Sequence, residues 1–142
     1  MKFEVYREVQ FSSAHRLRNY HGKCENLHGH NYKVYAHIRG TELDEGGMLL
    51  DFSILKTALR KVCATLDHTN LNDLTENGEP VFLQNPSAER IAKWIFDKLR
   101  DELVNCESQN AAPQENKKSA ASMLYAVDVF ETPGSQARYS EP

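Results

Sequence analysis

Along the first stretch of the chain the apolar residues Phe3, Val5, Val9 and Phe11 stand at alternate positions, with Glu4, Glu8 and Gln10 between them. Side chains on an extended backbone alternate between faces, so this pattern predicts a half-buried strand. Tyr32, Val34, Ala36 and Ile38 repeat it, opposite Asn31, Lys33, His37 and Arg39. The polar segment Arg18–Lys23, with Asn19, His21 and Gly22, predicts a loop folding the two strands into an antiparallel pair. Gly46-Gly47 marks a turn before Met48–Phe52, a short third strand.

The period then changes. Ile54, Leu55, Ala58, Leu59, Val62, Cys63 and Leu66 recur at three- and four-residue spacing, which predicts a helix capped by Asp51 or Ser53 and ending near Asp67-His68. Asn77-Gly78 and Glu79-Pro80 mark turns. A second helix starts within Asn85–Glu89, with Ser87 as its cap, and continues through Ile91, Ala92, Ile95, Phe96, Leu99 and Leu103, Trp94 packing beside that stripe. From Asn105 to Ser119 apolar residues thin to alanines and Cys106, the pattern of a solvated, flexible loop. Met123, Tyr125, Val127 and Val129 then alternate with Leu124, Ala126, Asp128 and Phe130 in a last strand, which Thr132-Pro133-Gly134 ends.

This order predicts an α+β domain spanning residues 1–142, a four-stranded antiparallel sheet with two helices on one face. Such a sheet leaves edges and one face uncovered, and self-association is the simplest protection for both. The sequence contains no internal repeat, Gly-rich phosphate loop or dinucleotide fingerprint. Its 40% hydrophobic and 26% charged residues are those of an ordinary soluble protein, and no apolar run approaches a membrane span. Met1-Lys2-Phe3-Glu4 lacks the apolar stretch of a signal peptide. Three cysteines at unrelated positions point to a reducing cytoplasm. A net charge of -3 gives no electrostatic footprint for nucleic acid.

Candidate chemistry concentrates in Cys24-Glu25-Asn26-Leu27-His28-Gly29-His30 and in His15. His28 and His30 share the parity of Tyr32 and Val34, and His15 that of Phe11, so all three point to the covered faces of their strands. Three neutral imidazoles with an open fourth position are the ligand set of catalytic zinc. Cys24, just upstream, is then a base or nucleophile rather than an obligatory ligand. Against this stands the plain alternative that a histidine on an apolar face is a hydrogen-bonded core residue. His37 faces the other way and reads as surface; His21 is given no role. Glu131 continues the odd face of the last strand, either solvated or as an anchor for paired N–H donors of a flat heterocycle.

Phe11–Leu17, Cys24–Tyr32, Asp51-Phe52, Leu66–Asn72, Asn85–Glu89 and Glu131-Thr132 together resemble the 6-pyruvoyltetrahydropterin synthase superfamily, and within it the bacterial 6-carboxytetrahydropterin synthases of queuosine biosynthesis. The similarity runs in order over nearly the whole chain. It implies a tunnelling fold, in which four-stranded subunits close into an oligomeric barrel, commonly a homohexamer with active sites between subunits. It also implies Zn2+ on His15, His28 and His30, a catalytic Cys24, an Asp67–His68 acid–base pair, and substrate contacts from Glu131, Ser87 and Glu89. The implied substrate is a small-molecule pterin triphosphate, 7,8-dihydroneopterin triphosphate, with no nucleic acid or membrane partner.

Cys24 precedes His28 by four residues, as in the carboxy-forming branch; the animal pyruvoyl-forming enzymes place more residues there. Other relatives use a glutamate in place of the cysteine, and Glu25 stands near that position, but with Cys24 present it is secondary. The implied reaction releases triphosphate and acetaldehyde and leaves a 6-carboxytetrahydropterin. The alternatives are triphosphate elimination alone, giving the pyruvoyl product, and a zinc- or pterin-binding module without turnover.

Overall fold

A computed structural model describes residues 2–18, 26–110 and 119–142, those of 107–110 by backbone alone. Two long strands dominate, β1 (Phe3–His15) and β2 (His28–Gly40), paired antiparallel from Phe3↔Gly40 to His15↔His28. Helix α1 (Phe52–Ala64) follows, then the two-residue strand β3 (Thr69–Asn70), a 3-10 turn at Leu71–Asp73 and a small hairpin, β4 (Thr75–Glu76) with β5 (Glu79–Pro80). Helix α2 (Ala88–Asn110), the short α3 (Ala120–Met123) and strands β6 (Leu124–Thr132) and β7 (Ser135–Ser140) complete the described chain.

The main sheet has five strands in the order β3-β1-β2-β6-β7. All neighbours are antiparallel except β1 and β3, which run parallel at Ser13↔Thr69 and Ala14↔Asn70. It therefore differs from the expected four-stranded sheet in three places, the first being the unexpected edge strand β3. Met48–Phe52 is not a strand: the Asp51 carboxylate accepts from Ser53 N at 2.8 Å, capping α1 so that Phe52 is already helical. Beyond the Pro133-Gly134 turn the chain returns as β7, where Ala137 is buried and Tyr139 half-buried. The expected loop from Asn105 is also corrected. Without Gly or Pro before Pro113, nothing stops α2 at Asn105 and it runs to Asn110; residues 111–118 lie outside the described ones.

Both long helices pack on one sheet face, α1 against β1 and α2 against β6 and β7. Phe11, Tyr32, Val34, Ala36, Ile38, Val127 and Val129 meet the buried stripes Leu55–Val62 and Ile91–Leu103 in one cluster. Gly40 permits this closeness at the sheet end: a Cβ there would come within 2.6 Å of Leu49 Cδ1. A bulge opposite His37/Ile38 sets Leu124 beside Ile38 and shifts parity, so Tyr125 leaves the core side and lies under the Arg39 guanidinium, 3.4 Å from its ring centroid.

The other face is polar but closely bonded. His37, expected at the surface, is buried there: Nδ1 is 2.8 Å from Glu4 Oε1 and Nε2 2.7 Å from Asp128 Oδ2. Arg138 donates to both Asp128 oxygens and Arg39 to Glu4. The parity was right; the cover comes from neighbouring strands.

Candidate metal centre

The β1–β2 register sets His15 opposite His28 and Ser13 opposite His30, so three imidazoles converge where the pair ends. Their ring centroids lie 4.7, 5.2 and 4.8 Å apart, and each offers a ligand atom within 4.8 Å of the others. His15 is buried; His28 and His30 are half-buried. His15 Nδ1 is 2.8 Å from the Pro86 carbonyl oxygen and His28 Nδ1 2.7 Å from that of Asn26. A carbonyl only accepts, so both Nδ1 atoms carry the proton and both Nε2 atoms present a lone pair. His15 Nε2 and His30 Nε2 are buried without a hydrogen-bond partner. Orphaned acceptors of this kind are costly unless a cation or donor fills the space between them, so the residues fit a metal. Burial lowers the His30 pKa below its ordinary value, with the nearby His15 and His28 adding to this and Glu131 opposing it, which favours the neutral, ligating form.

Glu131 joins the group, its Oε1 3.7 Å from His15 Nε2. So does Tyr32, which the alternation marks only as core. It stacks on Phe11, its ring lies 5.5 Å from that of His30, and its buried hydroxyl has no partner. Burial, with the Glu131 charge, raises its pKa and keeps it protonated.

Two asparagines also escape the periodic pattern. Asn72 accepts from Arg16 N at 2.8 Å and donates to Arg16 O at 3.1 Å; Asn85 accepts from Arg18 N and donates to Arg18 O, both at 2.7 Å. Each amide thus imitates a neighbouring strand and fastens the chain as it leaves His15. Only the motifs containing them, Leu66–Asn72 and Asn85–Glu89, drew attention to them.

Asp67 and His68 form a pair, His68 Nδ1 to Asp67 Oδ2 at 2.9 Å. Ser12 N donates to Asp67 Oδ1 and His68 N to Ser12 O, at 2.9 and 2.6 Å. The Ser12 bond, then that from His68, holds the Asp67 carboxyl below its usual range. His68 adopts a φ of 55°, which a non-glycine residue rarely takes. The pair sits on the β1 edge at Ser12, three strand residues or about 10 Å from His15. Within this chain it is not assembled with the three imidazoles.

Ser87 Oγ accepts from Arg90 N at 3.3 Å at the start of α2, where Glu89 is exposed. Cys24 lies outside the described residues, as does His21. Cys63 is buried in the core, which pushes its thiol up to about 12, and Cys106 is half-exposed. Among the described residues no helix is long and apolar enough to cross a membrane.

Fold and site define a class: an α+β protein whose central strand pair ends in a three-imidazole centre suited to a metal ion. The chain belongs to the 6-pyruvoyl tetrahydropterin synthase family, whose sequence model matches residues 4–142. It is 34% identical to the 6-carboxy-5,6,7,8-tetrahydropterin synthase of Synechocystis sp. over 97% of this chain and 93% of that one. Its identity to the Bacillus subtilis protein of the same name is 33%, over 96% and 84%. Among solved structures, the 6-pyruvoyl tetrahydropterin synthase of Caenorhabditis elegans superposes with a TM-score of 0.76 at 29% identity, covering 100% of this chain and 97% of that one.

Proposed function

We propose that the chain is a zinc-dependent 6-carboxy-5,6,7,8-tetrahydropterin synthase, a carbon–carbon lyase converting 7,8-dihydroneopterin triphosphate to the 6-carboxy product with release of acetaldehyde and triphosphate, in queuosine or related deazapurine biosynthesis. The observation that carries this reading is the convergence of His15, His28 and His30, with carbonyls fixing the tautomers of His15 and His28 and with the Nε2 atoms of His15 and His30 buried without a partner. The names and near-full coverage of the relatives, and the four-residue Cys24–His28 spacing, support the carboxy outcome.

In this reading His15, His28 and His30 hold zinc, which supplies Lewis acidity toward the substrate's side-chain hydroxyls. Glu131 accepts the paired N–H donors of the pterin ring, with Ser87 and Glu89 as further contacts. Cys24 removes a carbon-bound proton as thiolate. His68 moves a proton on the opposite side, its ring held by Asp67 at 2.9 Å. The distance of that pair from the imidazoles within one chain supports a site completed by a neighbouring subunit, in a homohexameric barrel of single-domain subunits.

Anaerobic incubation with 7,8-dihydroneopterin triphosphate tests the reading. Triphosphate and acetaldehyde in equal amounts, with the carboxylated tetrahydropterin by mass spectrometry, is the expected result. Triphosphate with a pyruvoyl pterin and no acetaldehyde would establish the elimination reaction instead, and no product would leave a binding module.

A further inference from the structure

Beyond the Asn85-Pro86 turn from His15 lies a cleft of about 560 Å³, within the usual range for small-molecule sites. Arg18 and Arg90 line it with the amides of Asn72, Gln84 and Asn85, and Phe82 forms part of its wall. No carboxylate is among its described lining residues. Arg18 makes no ion pair among the described residues. Arg90 donates to Asn85 O at 3.0 Å and to Gln84 Oε1, both neutral acceptors that orient the guanidinium without cancelling its charge. In a chain of net charge -3 this local excess of cations is a departure from the average surface.

The cleft is tied to the imidazole centre at two points. Asn85 immediately precedes Pro86, whose carbonyl holds His15, and Asn85 also clamps the backbone of Arg18, three residues after His15. Arg90 stands in the first turn of α2, where the helix dipole is positive. Guanidinium groups match phosphate oxygens in a two-pronged geometry, and amide N–H groups add neutral donors. We infer that this cleft binds the polyphosphate tail of the substrate, Arg18 and Arg90 gripping phosphate oxygens while the pterin end reaches the imidazole centre and Glu131. The inference rests on the pterin triphosphate reading of the site.

Inorganic tripolyphosphate is the probe, titrated calorimetrically at low salt into the full-length, metal-loaded protein, with neopterin, which lacks phosphate, titrated in parallel. Arg18→Gln and Arg90→Gln should each weaken tripolyphosphate binding about tenfold, the loss expected for a charged hydrogen bond, and the double variant should bind it at least a hundredfold more weakly. Neopterin affinity should stay at wild-type values; Tm should stay so in Arg18→Gln, since Asn85 holds only the backbone of Arg18, and should fall slightly in Arg90→Gln, which loses its bonds to Asn85 O and Gln84 Oε1. In turnover, KM for the triphosphate substrate should rise with kcat little changed. Wild-type protein that does not bind tripolyphosphate, or a double variant that binds it normally, would overturn the inference, as would equal loss of neopterin and tripolyphosphate affinity. Wild-type protein that binds tripolyphosphate at these arginines but no neopterin would instead overturn the pterin reading alone.

Discussion

The ring Nδ1 of His15 lies 2.8 Å from the carbonyl oxygen of Pro86, joining the end of β1 to the turn before α2 across 71 positions of sequence. One side of the candidate metal centre is therefore set by a backbone atom that no side-chain substitution removes. What can be loosened is the turn carrying it. Asn85→Ala deletes both bonds to Arg18 and should cost about 1–2 kcal/mol of stability, water replacing part of the loss at this half-exposed site. Because partners behind a ligand typically contribute 10–100-fold in metal affinity, zinc should bind about tenfold more weakly in competition with a chelator. Unchanged affinity would show that the Pro86 carbonyl is held by other means.

His28→Ala combined with His30→Ala leaves one imidazole of three, and the protein should then retain no stoichiometric zinc by elemental analysis. Folding should persist, since the sheet register does not depend on these rings. Retention of a full equivalent would place the metal elsewhere.

On the opposite face, burial alone would raise the Asp128 pKa, but bonds from Arg138 and His37 outweigh it and the carboxyl lies below its ordinary value. A group depressed in the folded state contributes stability above its unfolded pKa and loses it as pH falls through the folded value. Chemical denaturation should therefore show stability declining below about pH 4 in wild type, and less so in Asp128→Asn. At neutral pH that variant should be less stable by about 1–2 kcal/mol, because Arg138 and His37 lose a charged partner while the part-exposed Arg138 regains water.

These cases show what alternation along the chain can and cannot carry. Parity placed His15, His28 and His30 on one face because an antiparallel pair without a bulge preserves it from end to end. It failed at Tyr125, where a bulge intervenes, and it could not tell that His37 would be covered, since Glu4 and Asp128 reach it from other strands. Strand β7 went unseen because only Ala137 and Tyr139 mark its inner side. Asp67 and His68 carry no periodic signal; their pairing depends on a backbone turn and on Ser12, 55 residues away.

Tyr32 separates a burial effect from a bonding one. Its hydroxyl is buried without a partner, and such a group costs about 1–3 kcal/mol. Tyr32→Phe keeps the stacking on Phe11 and should raise the Tm of the metal-free protein, a gain of about 1 kcal/mol. A lower Tm would reveal a bond that the hydroxyl makes in solution.

The three cysteines give the most direct test of the proposed chemistry. Cys63 is packed in the core with its thiol pushed up to about 12, so it is almost wholly protonated at neutral pH and should resist alkylation in the folded protein. Cys63→Ala should remain active and lose about 1 kcal/mol of stability from the small cavity. Cys106→Ala should change neither property, since its half-exposed thiol lies on the last turns of α2. Cys24→Ala should keep zinc and Tm but lose about 10²–10⁴-fold in turnover, the usual effect of removing a general base. Activity and alkylation rates measured across the series decide the assignment. Equal losses in all three variants, or full activity in Cys24→Ala, would remove Cys24 from the mechanism.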